Sequence, residues 1–99
     1  MLTTESIIIQ GKIIDSDAFR PSDWAERLAG RLCTFINRRI FYSPMLKPGV
    51  YENYRCVFID PQLLVKEPAL FWEVINFAQT NRLTIINNTT IVLDEITYQ

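Results

Sequence analysis

Phe19-Arg20-Pro21-Ser22-Asp23-Trp24-Ala25-Glu26-Arg27-Leu28-Ala29-Gly30-Arg31-Leu32-Cys33-Thr34-Phe35-Ile36 is the stretch on which the fold reading turns. Pro21 suits the first position of a helix, where its missing N–H costs nothing. Ser22 or Arg20 is then the cap, and Asp23 falls in the first turn, where the helix dipole favours an anion. Trp24, Leu28, Leu32, Phe35 and Ile36 recur at helical spacing and form one apolar face. Arg27 and Arg31 lie on the outer side, and Asp23 stands four residues before Arg27, within pairing reach. Asn37 reads as a left-handed stop. The pattern predicts a helix over 20–36.

On either side of that helix the chain reads as strands. Ser6 to Ile14 is rich in isoleucine, which favours the pleat. Gly11 inside it signals a bulge or a close backbone approach. Asp15-Ser16-Asp17 is a turn, and Ala18 with Phe19 forms a short returning strand. Residues 38–53 read as one long loop, marked by Pro44, Pro48 and Gly49 and studded with aromatics. Tyr54 to Asp60 is the strongest strand, its apolar run from Cys56 to Ile59 pointing to a central place in a sheet. Pro68 opens a second helix, with Leu70, Phe71, Val74, Ile75 and Ala78 as its stripe, ended by Asn81. Leu83 to Ile86 is a strand, Asn87-Asn88 a turn, and Thr90 to Tyr98 a last strand within the segment 87–99. Residues 1–5 read as frayed.

The segment from Tyr54 to Ile86 has the length of one βαβ unit. The predicted fold is α/β: a small two-layer sandwich with two helices on one face of a mixed sheet of three to five strands. Ninety-nine residues make one domain, 1–99, and a chain of this size has enough material for one core without disulfide or metal staples.

The net charge of −1 gives no argument for a polyanionic or membrane partner. Its distribution is uneven: residues 1–19 carry −2, residues 20–55 carry +4 and residues 56–99 carry −3. No histidine is present, and the two cysteines, Cys33 and Cys56, fall in separate elements. No zinc spacing exists, so no metal and no cofactor are expected. Neither cysteine has an imidazole to activate it, and both read as small, reduced core residues. No glycine-rich phosphate loop follows a strand. Asp23 and Glu26, three apart, read as a solvated, ion-paired helix face rather than an acid–base pair. No leader pattern and no membrane-length apolar stretch is found, which points to a cytoplasmic protein with no membrane partner.

Arg20 to Gly30, then Tyr42-Ser43-Pro44, then Cys56-Val57 with Asp60, then Asn76-Phe77-Ala78 and Asn81 with Leu83, together resemble a family of short bacterial proteins catalogued as domain of unknown function 3579. The resemblance spans roughly Glu5 to Ile86 and implies a small α/β bacterial protein with no assigned activity. The segment Asn87 to Gln99 and the glycine-free turn at Asp15-Ser16-Asp17 depart from the family pattern.

The remaining signal is a basic, aromatic middle third. Arg27, Arg31, Arg38, Arg39 and Arg55 are interleaved with Tyr42, Tyr51 and Tyr54, residue types found at interface centres. The expected function is therefore non-enzymatic: an adaptor or regulatory protein that binds a protein partner, or a second copy of itself, through the face of helix 20–36 and loop 38–54. One alternative is binding of nucleic acid by the arginine face, since aromatics stack on bases and arginines neutralise phosphates. Another is capture of a small anion at the helix start by Arg20, Ser22 and Arg27.

Overall fold

The computed structural model describes residues 6–14, 18–19, 23–89 and 93. Four strands form the main sheet: β1 (Ile7–Ile13), β4 (Leu46–Tyr51), β5 (Tyr54–Ile59) and β6 (Leu83–Asn87), in the order β4-β5-β1-β6. The fold is α/β, as expected, and the strand count falls in the expected range. The pairing differs from a mixed sheet, because every neighbouring pair is antiparallel. β5 and β6 point the same way, but β1 is inserted between them and pairs with both. Taken without the insert described below, the order strand–helix–strand–strand–helix–strand is the split-βαβ arrangement.

Alternation along the strands places Ile7 and Ile9 of β1, Leu46 of β4, Val57 and Ile59 of β5 and Leu83 of β6 in one core. The helices close it. α1 (Trp24–Ala29) contributes Trp24, Ala25 and Ala29; α2 (Gln62–Lys66) contributes Leu63; α3 (Pro68–Thr80) contributes Leu70, Phe71, Val74, Ile75 and Ala78. Leu93 is buried in the same core. α2 was not read from the sequence; its start is held by Asp60, whose Oδ1 accepts the Gln62 N–H at 2.9 Å. α3 begins at Pro68 as predicted. Asn81 follows its last turn, but the left-handed residue is the next one, Arg82, at φ 58°.

The predicted helix over 20–36 is corrected. α1 ends at Ala29, a 3₁₀ turn covers Gly30–Leu32, and the chain is extended from Cys33. Asp23 occupies the cap position with no side-chain capping bond, and Arg20 and Ser22, the expected caps, lie outside the described residues. Beyond Cys33 a separate two-stranded hairpin forms from β2 (Thr34–Ile36) and β3 (Arg39–Phe41). Asn37 is left-handed as expected, at φ 51°, but beside Arg38 at φ 67°, so it builds a two-residue hairpin turn rather than a helix stop. Phe35 and Ile36 therefore leave the core stripe.

The loop over 38–53 is corrected too, since it contains β3 and β4. Pro48 is tolerated in β4 because β4 is an edge strand. Glu52 and Asn53, at φ 49° and 73°, make a second two-residue turn joining β4 to β5. Ala18 bridges to Lys12, and the Phe19 N–H donates to the Gly11 carbonyl at 2.8 Å, which is the short returning strand. β1 is irregular between Gln10 and Ile13, the bulge that Gly11 signalled. Asp15-Ser16-Asp17 and, apart from Leu93, the strand expected at Thr90–Tyr98 lie outside the described residues.

Candidate functional site

Three aromatic rings from three separate parts of the chain meet beside α1. Phe19 stands edge-on to Trp24 and to Phe77, with centroids 6.1 and 5.9 Å apart. Trp24 and Phe77 stack at 6.1 Å, 20° from parallel. With Leu28, Arg27 and Arg31 these rings line an open groove of about 220 Å³. Trp24 is 3% exposed, so it serves both as core residue and as groove wall.

Two arginines edge the groove. Arg27 donates from Nε to Oδ2 of Asp23 at 3.0 Å, the pair expected from their spacing. Arg31 donates from Nη1 to Oε2 of Glu73 on α3. A third, Arg55 on β5, pairs with Glu26 of α1 on the same side of the sheet. Because each of these answers a carboxylate, the basic middle third does not present one bare cationic surface to phosphates.

The other candidate residues separate. Arg38 and Arg39 lie on the β2–β3 hairpin, exposed and with no ion pair among the described residues. Tyr42 is half-buried and packs on the core. Tyr51 and Tyr54 face each other across the β4–β5 turn. Tyr54 lies on the sheet face opposite Arg55, with Lys12 Nζ 5.7 Å from its ring centroid. The Tyr51 carbonyl accepts the Gln10 Nε2 amide at 3.0 Å. The groove thus gathers Arg27 and Arg31, but not Tyr42, Tyr51 or Tyr54. Arg20 and Ser22 lie outside the described residues.

The hairpin is the feature that the sequence reading missed. All six residues of β2 and β3 are exposed. Four are large and apolar: Phe35 is 70% exposed, Ile36 55%, Ile40 48% and Phe41 48%. Phe35 stands opposite Ile40, and Ile36 opposite Arg39, so both faces of the ribbon carry apolar side chains. The one local clue was Asn37 between two short β-branched and aromatic runs.

The profile of a family described as a protein of unknown function, DUF3579, matches residues 3–88. The chain belongs to the DUF3579 family. A solution structure described as the first structural representative of its family is 35% identical to this chain, covers 99% of it and 94% of its own length, and superposes with a TM-score of 0.77. No curated protein matches the chain. Membership of DUF3579 carries the fold with it and leaves the function to be argued from the site. Among the described residues of this DUF3579 protein, no helix is long and apolar enough to cross a membrane.

Proposed function

We propose that the chain is a non-enzymatic adaptor or regulatory protein of the bacterial cytoplasm, docking a protein partner through the β2–β3 hairpin and the adjoining face of α1. The observation that carries this reading is the hairpin's exposure of Phe35, Ile36, Ile40 and Phe41. An isolated two-stranded ribbon is marginal in water, and four large apolar side chains exposed on one so small mark an interaction site. Arg38 and Arg39 at its turn call for a partner whose apolar surface is edged by carboxylates. Cys56 supplies no nucleophile to such a surface, because its thiol is buried and pushed up to about 11.

The test is a pull-down from bacterial lysate with the wild type, with Arg38→Glu/Arg39→Glu and with Phe35→Ser. Losing the buried area of Phe35 costs docking about 1–2 kcal/mol, roughly tenfold in affinity. The double charge reversal abolishes the same partners. Identical partner lists for all three proteins contradict the reading.

A further inference from the structure

The groove beside α1 carries an inference of its own, which does not rest on the hairpin. Its walls are the rings of Phe19, Trp24 and Phe77 together with Leu28, and its volume is about 220 Å³. An apolar cavity of about 150 Å³ takes a benzene ring, so this one has room for one or two fused rings. Arg27 and Arg31, four residues apart, stand at its edge on the same side of α1 and its 3₁₀ extension.

Neither guanidinium is used up by its carboxylate. Among the described residues, Arg27 gives only Nε to Asp23, and Arg31 gives only Nη1 to Glu73. A guanidinium carries five N–H donors in a fixed fork, so both retain donors that fit an incoming carboxylate. The resident pairs are exposed, with side chains 74% and 53% accessible in the first and 52% and 49% in the second, and pairs so exposed are weak and readily exchanged.

We propose that this groove binds a small organic anion with a planar apolar body of one or two rings and a single carboxylate. The ring lies against Phe19, Leu28 and Phe77, with Trp24 behind them, and the carboxylate sits on Arg27 and Arg31. Asp23 and Glu73 balance the charges of Arg27 and Arg31, so recognition by these two arginines comes from the forked donors and not from long-range attraction. One consequence is specific to this arrangement: removing the charge of Glu73 frees Arg31 and tightens binding.

The experiment is an NMR titration of the ¹⁵N-labelled protein with naphthoate and with its neutral amide, naphthamide. Naphthoate shifts the arginine Nε–H signals of Arg27 and Arg31 and the backbone amides of Leu28 and Phe77, saturating at or below about millimolar concentration. Naphthamide binds at least about fivefold more weakly, Arg27→Gln/Arg31→Gln weakens naphthoate by a similar factor, and Glu73→Gln tightens it about threefold. Each variant's own spectrum shows whether it is folded, and Phe35→Ser leaves naphthoate binding unchanged, so the groove and the hairpin stand or fall separately. Equal affinity for naphthoate and naphthamide, no saturation, or indifference to Arg27→Gln/Arg31→Gln overturns the proposal.

Discussion

Gly11 on β1 and Trp24 on α1 approach so closely that a Cβ on Gly11 would lie 2.7 Å from the indole Nε1 and 3.1 Å from the Arg55 carbonyl oxygen. The bulge in β1 and the missing side chain together make the seat for the ring that walls the groove. Gly11→Ala must push back either a buried ring or the neighbouring backbone, and it destabilises the protein by about 1–3 kcal/mol in urea unfolding. It also displaces Trp24, so the same variant shifts the tryptophan fluorescence of the folded state.

Glu26 and Arg55 tie α1 to the central strand β5, with side chains 35% and 38% exposed. One carboxylate oxygen, Oε1 of Glu26, is buried without a hydrogen bond among the described residues. Removing the guanidinium leaves that carboxylate partly desolvated and unanswered. Arg55→Ala costs about 1–2 kcal/mol, below the loss for a fully buried pair, and a double-mutant cycle with Glu26→Gln recovers part of it as coupling.

Cys56 is fully buried, and burial pushes its thiol from 9.0 up to about 11, with the Arg55 charge pulling weakly the other way. The folded state holds this proton more tightly than the unfolded chain does. The contribution of this thiol to stability is therefore full well below pH 9.0 and is lost as the pH rises from there to about 11, the window in which the unfolded chain is ionised and the folded one still holds the proton. Cys56→Ala flattens that fall in a pH series of denaturation curves. In thiol labelling of the native protein at about pH 8, the half-buried Cys33 reacts and Cys56 does not until the protein unfolds.

Amide exchange separates the two sheets. The backbone of β1 and β5, paired on both sides inside the main sheet, exchanges slowest. Amides over 34–41, held among the described residues by the two-stranded ribbon alone, exchange near the rate of free peptide in the isolated protein. Protection of the hairpin equal to that of β5 contradicts this.

The elements that were legible in the sequence are those in which local signals agree. Cys56 to Ile59 is an uninterrupted apolar run, and it forms the central strand β5. Pro68 and the stripe from Leu70 to Ala78 give α3 both a start and a buried face. The segment after Leu32 was illegible because two periods fit it. Phe35 and Ile36 extend a helical stripe from Trp24, yet Thr34–Ile36 and Arg39–Phe41 also flank a two-residue turn. Asn37 and Arg38, both left-handed, decide for the turn, and Gly30 marks where the helix gives way.

Within the groove, Arg27 and Arg31 were readable as the outer face of a helix. Phe77 was not, because no local pattern tells which flank residue of α3 meets Trp24 across space. The insertion of β1 between β5 and β6 was hidden for the same reason: strand order is set by non-local pairing.

The docking role of the hairpin is tested most directly by photo-crosslinking in the cell. The photoreactive p-benzoylphenylalanine replaces Phe35 in one protein and Val65, which is 80% exposed on α2, in another. A discrete protein adduct is expected from position 35 and none of the same mass from position 65, and the adduct is lost when Arg38→Glu/Arg39→Glu is added. No adduct from position 35, the same adducts from both positions, or an adduct indifferent to the charge reversal would contradict it.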